Sequence, residues 1–239
     1  MRYVGGKQRI AKVIAAEILA VDEELDTYVE PFVGGGAVAA VLGREFDHVH
    51  YSDTHPDLIL MWEALSNGET FPETISREEY AELRSSPPSA LRGLVGFGGS
   101  FGGKWFAGYA KGGFNSKGPR NHYGESLRRA ERDIVGMRGR VSTRFSRRSY
   151  EDVHGAPGTL IYADPPYEGT LGYGSEFDHV HFWDTVARWA VEGSHVFVSE
   201  YAAPDWIDQI LEVPIRVSTM TTDQGRPIVA ERLFHVEPL

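Results

Sequence analysis

The chain has 239 residues and a formal net charge of −10, with 41% hydrophobic and 24% charged residues. That is the make-up of a folded domain with room for one large core or a core with an insertion. No stretch approaches the ~20 apolar residues of a bilayer span, and Met1 to Lys7 holds no signal-peptide apolar run. Cysteine is absent, which excludes disulfides, thiolate metal sites and cysteine nucleophiles and leads us to expect a cytoplasmic protein.

The charge is uneven. Residues 101–150 hold twelve Lys and Arg against three Asp and Glu, a local +9, and the remainder carries −19. A basic segment in an acidic body focuses a field on a polyanion. A solvated basic helix with no partner fits the same count.

In chain order, Tyr3 precedes Gly5-Gly6-Lys7, where paired glycines allow close approach to a ligand and Lys7 can meet an acidic group. Ile10, Val13, Ile14 and Ile18 recur at helical spacing between Gln8 and Ala20. Thr27-Tyr28-Val29 reads as a strand running into Glu30-Pro31-Phe32-Val33-Gly34-Gly35-Gly36. There Gly34, Gly36 and Ala39 satisfy the G-x-G-x-x-G/A spacing of a nucleotide-binding turn. A second strand, His48 to Ser52, ends in Asp53, placed to accept from ribose hydroxyls about 20 residues after the glycine turn. A helix N-cap before Pro56 is the lesser reading of Asp53. His48, His50 and His55 read as surface or packing residues.

Residues 56–92 read as helical, with Ser76-x-x-Glu79 as a capping box. Residues 96–118 then hold nine glycines, several aromatics and three lysines. Such a loop either faces bases and phosphates or packs its own rings. A basic amphipathic helix is expected over 124–137, with Leu127, Ala130, Ile134 and Met137 inward and Arg128, Arg129 and Arg132 outward. A strand from Val141 to Phe145 leads to Tyr150-Glu151-Asp152. Residues 56–145 thus read as an insertion between the second and third strands of a domain made of 1–55 and 146–239.

The apolar run Leu160-Ile161-Tyr162-Ala163 is a buried strand that delivers Asp164-Pro165-Pro166-Tyr167 to a loop. Two prolines stiffen that backbone and remove two N–H donors. A carboxylate, a stiff carbonyl and an aromatic face suit a planar heterocycle held by its exocyclic amine, although a plain Pro-Pro turn has the same local pattern. Glu168 to Asp178 is glycine-rich. Beyond it we expect a helix near 180–192, a strand over His195–Ser199 and a helix near 204–211. A closing hairpin joins Ile215–Thr219 and Ile228–Val236 through a turn at Gln224-Gly225-Arg226-Pro227.

These blocks resemble the Dam-type DNA adenine methyltransferases, D12 class and α-group. Tyr3-Val4-Gly5-Gly6-Lys7 looks like their N-terminal block, Glu30 to Gly36 like their methionine-moiety loop, Asp53 like their ribose acid and Asp164-Pro165-Pro166-Tyr167 like their catalytic loop. The Arg226…Glu231 hairpin is similar as well. Tyr3 stands where the family often has tryptophan, and Gly-Gly-Gly where Gly-Ala-Gly is common. The resemblance implies an α/β, Rossmann-like S-adenosylmethionine-dependent methyltransferase sheet with an inserted target-recognition subdomain and a C-terminal β-hairpin. It implies methyl transfer to adenine N6 in double-stranded DNA by base flipping, with no metal and with a monomeric or weakly dimeric protein. A restriction-modification enzyme and a stand-alone modifier carry the same residues.

On that resemblance the catalytic candidates are Asp164, Pro165, Pro166 and Tyr167. The cofactor candidates are Tyr3, Gly6, Lys7, Pro31, Phe32, Gly34, Gly36, Asp53, Asp152 and Asp164. Candidate DNA contacts are Lys104, Lys111, Asn115, Lys117, Arg120, Asn121, Arg128, Arg129 and Arg132. Chemically, Asp164 and the Pro165 carbonyl can accept both N6 protons and localise the amine's electron pair, while Tyr167 stacks on the base. RNA adenine or cytosine N4 are alternative acceptors; cytosine-N4 enzymes more often carry serine in place of Asp164. A catalytically inactive DNA-binding module of the same fold is a further alternative.

Overall fold

The computed structural model describes residues 1–112, 114–115, 118–167, 177–216 and 228–239. Helix α1 (Ala11–Ile18) buries Ala11, Ile14, Ala15 and Ile18, with Ile10 buried just before it, while Val13, expected on the same stripe, is exposed. Strand β1 (Thr27–Glu30) leads through the glycine turn to the short α2 (Ala39–Leu42), and β2 (His48–Asp53) follows. Next come α3 (Pro56–Ser66), α4 (Arg77–Ser85), α5 (Ala90–Gly93), a two-residue strand pair β3 (Phe114–Asn115) and β4 (Gly118–Pro119), and α6 (His122–Gly136). The chain returns to the sheet with β5 (Ser142–Arg147) and β6 (Thr159–Ala163), then α7 (His179–Val191), β7 (His195–Glu200), β8 (Asp208–Arg216) and β9 (Ile228–Val236).

Among the described residues the main sheet has seven strands in the order β5-β2-β1-β6-β7-β9-β8. The first five run parallel, and β9 pairs antiparallel with both β7 and β8. This is the Rossmann-like sheet the residues led us to expect. Every residue of β6 and β7 is buried, as in a parallel sheet covered on both faces. Side chains alternate between the two faces. Tyr28, Leu160, Tyr162 and Phe197 join the core beneath α1, α2, α3 and α6. Val29, Ile161, Ala163, Val196 and Val198 join the core beneath α7, with Phe182, Val186 and Trp189.

The segment between β2 and β5 lies on the first of these cores. Leu127, Ala130, Ile134 and Met137 of α6 are buried there with Leu42 and Tyr51, and the Tyr51 hydroxyl donates to the Met137 carbonyl at 2.8 Å. Close contact needs glycine at position 136, since a Cβ there would lie 2.1 Å from the Ala40 carbonyl oxygen. The capping box forms as expected: Ser76 Oγ accepts from Glu79 N at 3.0 Å and Glu79 Oε2 accepts from Ser76 N at 2.7 Å.

One expectation is revised. Residues 208–216 form β8, where a helix was expected near 204–211. The register of β8 against β9 shifts between Gln209 and Leu211. That irregularity breaks strand alternation around Ile210, which removes the period-two signal there. The glycine-aromatic segment packs its own rings: Phe97 and Phe106 are buried, and Trp105 lies 4.7 Å from Phe97 and 4.3 Å from His55, ring centre to ring centre. The expected turn at 224–227 and most of the 168–178 segment lie outside the described residues.

Candidate active site

From β1 the chain moves outward to β2 and β5, then crosses back to place β6 on the other side of β1. The strand order therefore reverses between β1 and β6, and a crevice opens outside their carboxyl ends. Glu30, Asp53, Glu200 and Asp164 stand at the ends of β1, β2, β7 and β6. Burial pushes the Glu30 carboxyl well above its usual range, against the opposing hydrogen bond from the Tyr28 hydroxyl at 2.6 Å.

On one side of the reversal sits the glycine turn. Gly34 and Gly36 have φ of 42° and 65°, a left-handed backbone that favours glycine. Asp53 Oδ2 accepts from Gly34 N at 3.1 Å, and Oδ1 accepts from His55 N at 2.9 Å. The carboxylate thus both ties the two strand ends together and steadies the entry to α3, whose N-cap is His55. Burial pushes the Asp53 carboxyl up to about 6, against the lowering effect of these backbone donors. The Tyr3 ring lies over the turn: a Cβ on Gly34 would fall 2.9 Å from Tyr3 Cε1, and one on Gly35 2.7 Å from Tyr3 Cβ. Phe32 is half-buried and stacks on Tyr150 at 5.3 Å. Pro31 is buried, Asp152 is exposed two residues beyond Tyr150, and the Gly6 amide donates to the Tyr3 carbonyl at 3.2 Å. A half-buried acid beside a backbone that favours glycine suits a ribose-bearing ligand.

On the other side is the Asp164 loop. Lys7 is 7% exposed, and its Nζ lies 2.6 Å from Asp164 Oδ1 and 3.2 Å from Glu231 Oε1. The same ammonium stands 4.4 Å from the centre of the Tyr167 ring, and the Tyr167 hydroxyl donates to Glu231. Tyr167 also meets Tyr201 edge-on at 4.6 Å. Burial opposes the Lys7 charge, yet Asp164 and Glu231 together hold its pKa above the ordinary lysine value. Burial, reinforced by the Asp164 and Glu231 charges, keeps the Tyr167 phenol protonated. Pro165 is buried and Pro166 half-buried beneath this cluster.

Lys7 therefore belongs with Asp164, not with the glycine turn alone. Glu231, on β9, completes the cluster and is a site residue that the sequence reading left without a role. Its signal is the period-two pattern of β9, where Glu231 and Leu233 share one buried face. Among the described residues no group of three His, Cys, Asp or Glu side chains is arranged to hold a metal ion.

Of the residues expected to meet a polyanion, Lys104, Lys111, Arg128, Arg129 and Arg132 are exposed, with Arg129 Nε 3.6 Å from Asp133. Arg120 pairs with Glu125 at 2.5 Å. Asn121 caps α6, accepting from Gly124 N at 2.9 Å, and donates to the Glu73 carbonyl at 2.7 Å. Those two side chains are engaged within the protein. Lys117 and the side chain of Asn115 lie outside the described residues.

Strand order and crevice define a Rossmann-like α/β domain with a nucleotide-type turn facing an acidic loop. Within it, residues 3–89 match the D12 class N6 adenine-specific DNA methyltransferase family, a family of enzymes. The chain is similar to the Type II methyltransferase M.CviBI of Paramecium bursaria Chlorella virus NC1A, 31% identical over 75 residues. That match covers 28% of this chain and 29% of the viral protein. Among solved structures, the rRNA methyltransferase aviRa of Streptomyces viridochromogenes is similar with a TM-score of 0.42 and 15% identity, over 94% of this chain and 84% of that one. The magnesium protoporphyrin IX methyltransferase ChlM of Synechocystis PCC 6803, solved with bound SAM, gives 0.40 and 10%, over 97% and 79%.

Removing the cation from between the buried Glu231 and the partly exposed Asp164 leaves both carboxylates uncompensated. Lys7→Met is expected to lower stability by about 3 kcal/mol, read by urea denaturation at neutral pH. A variant as stable as the wild type would show that the ion pairs contribute nothing net to the fold.

Proposed function

We propose that this chain is a site-specific DNA methyltransferase that transfers a methyl group from S-adenosylmethionine to adenine N6 in double-stranded DNA. The observation that carries the reading is the placement of Asp164, Pro165, Pro166 and Tyr167 across one strand reversal from the Gly34–Gly36 turn and Asp53. A cofactor held at the turn and a base held at the loop would meet over the carboxyl ends of β1 and β6.

Tyr3, Gly6, Pro31, Phe32, Gly34, Gly36, Asp53 and Asp152 would hold the cofactor, with Asp53 accepting from its ribose hydroxyls. Its sulfonium methyl is activated before it enters the site. The chain's own task is to align the acceptor and to stabilise the charge that develops on N6. Asp164 and the Pro165 carbonyl accept the two N6 protons, which concentrates the electron pair on nitrogen. The N6–methyl bond forms as the sulfur–methyl bond breaks, and the extra proton leaves the nitrogen afterwards. Tyr167 stacks on the base.

The amine lies inside a duplex, so the adenine must be flipped out for a few kcal/mol. The segment 56–145 would serve as the target-recognition subdomain, with Lys104, Lys111 and the α6 arginines on phosphates. The acidic body does not oppose this, because the +9 segment presents those arginines to solvent.

The direct test is methyl transfer from labelled S-adenosylmethionine to unmethylated duplex DNA, with nucleoside mass spectrometry of the product. N6-methyladenine is expected from the wild type, and Asp164→Ala is expected to lose about 100-fold or more in turnover with cofactor binding retained. Label in RNA alone, in N4-methylcytosine, or in neither polymer would reject the reading in favour of the corresponding alternative.

Asp53 gives the binding a pH dependence. Its carboxyl titrates near 6 in the fold against 3.8 for the ordinary group. Ionisation therefore takes stability from the free protein as pH rises between those values, and donors from a ribose would favour the ionised form. Calorimetric affinity for S-adenosylmethionine should weaken as pH falls through about 6, approaching tenfold per unit. Asp53→Asn should bind weakly with a flat profile. A wild-type affinity constant from pH 7 to 5 would remove Asp53 from the cofactor site.

Reversing Arg128, Arg129 and Arg132 to glutamate should weaken DNA binding. It should also flatten the slope of log affinity against log salt by up to about 3, near 0.9 per lost phosphate contact. A slope equal to the wild type would show that this face of α6 meets only water.

A further inference from the structure

Glu231 is 4% exposed on β9, between β7 and β8, opposite Val213 in the antiparallel register. Its carboxylate has two partners in the crevice, the Lys7 ammonium at 3.2 Å and the Tyr167 hydroxyl. Those two side chains flank the Asp164 carboxylate: Lys7 Nζ is 2.6 Å from it, and Tyr167 ends the same four-residue loop. A buried carboxylate is expensive unless its charge is used. Replacing Glu231 with an apolar residue would leave Lys7 paired to Asp164 alone as a neutral pair, so the extra acid needs a reason.

The charges supply one. Lys7 and Asp164 alone sum to zero, and a neutral pair offers little to a positive charge on a nearby nitrogen. With Glu231 the trio carries −1. In the proposed reaction the positive charge moves from the sulfonium sulfur onto adenine N6 as the bond forms. A net negative cluster at the base side favours that movement and does little for the neutral adenine before it.

We propose that Glu231 is a positioning residue for methyl transfer. It shares the Lys7 ammonium with Asp164 so that Asp164 retains acceptor strength toward N6, and it fixes the Tyr167 ring through its hydroxyl. The inference rests on the adenine-N6 reading above. Burial, joined by the charge of Asp164 and opposed by Lys7 and the Tyr167 hydroxyl, raises the Glu231 carboxyl above the ordinary glutamate value. The groups facing it are Lys7 from the N-terminal segment, Asp164 and Tyr167 from the loop after β6, Tyr162 of β6 and Tyr201 after β7. The ionised form is the working one, so activity is present above that raised pKa and falls as pH drops through it.

The test is Glu231→Gln, which keeps the shape and an oxygen for the Tyr167 hydroxyl but removes the charge. In steady-state assays on duplex DNA at saturating S-adenosylmethionine, kcat should fall about 10- to 100-fold, with cofactor Kd and DNA KM within about threefold of wild type. The acid limb of the wild-type kcat profile should disappear in the variant, and Glu231→Asp, which restores the charge, should recover part of the rate and the limb. An undiminished kcat in Glu231→Gln, or a loss confined to KM, would overturn the assignment. If the variant does not fold, the wild-type profile decides: kcat level down into the usual glutamate range overturns it, and an acid limb above that range supports it. A wild type that makes no N6-methyladenine would instead reject the underlying reading, which separates the two failures.

Discussion

Everything at the crevice depends on one buried ammonium. Lys7 reaches from the N-terminal segment into the space between the loop after β6 and strand β9, and its two carboxylates come from distant parts of the chain. Burial opposes the charge of the lysine, and the two carboxylates hold its pKa above the ordinary value. The three groups also tie three separate elements together at the crevice. The Tyr3 ring, four residues before Lys7, is thereby drawn over the glycine turn, so one short segment organises both halves of the site.

Much of this was legible in the chain because the signals were local. The 19-residue spacing from Gly34 to Asp53 reflects a strand, a turn, a short helix and a second strand, and it closes in a direct hydrogen bond. The run before Asp164 is apolar at every position because β6 is covered on both faces. The α6 stripe placed Leu127, Ala130 and Ile134 inward and the arginines outward, as its periodicity requires.

What escaped was non-local or locally ambiguous. The irregular register of β8 made a strand look like a helix. The aromatic-glycine segment carries the composition of a base-stacking loop, yet Gly96 exists so that Trp105 can close on it; a Cβ there would lie 2.3 Å from the indole. Asn121 looked like a base reader because its amide is versatile, and that amide is spent on capping α6 and bracing Glu73. Glu231 drew no role because nothing near it in sequence names its partners. A buried acid in a period-two apolar face is a cue that only a third element can explain.

The distribution of charge follows from the same division of labour. Acidic groups gather at the crevice, with Glu30 and Asp53 at the ends of β1 and β2, Asp164 just after β6 and Glu231 inside β9, although burial pushes the Glu30 carboxyl well above its usual range. The basic excess of +9 falls on residues 101–150, where Arg128, Arg129 and Arg132 of α6 reach solvent. A polyanion approaching the whole molecule would meet a repulsive average of −10. Within about one Debye length, roughly 10 Å, it would meet only the nearer face. An acidic crevice and a basic face can therefore coexist in one fold, because salt screens exposed charges more than a Debye length apart from each other while the buried Lys7 cluster is screened much less.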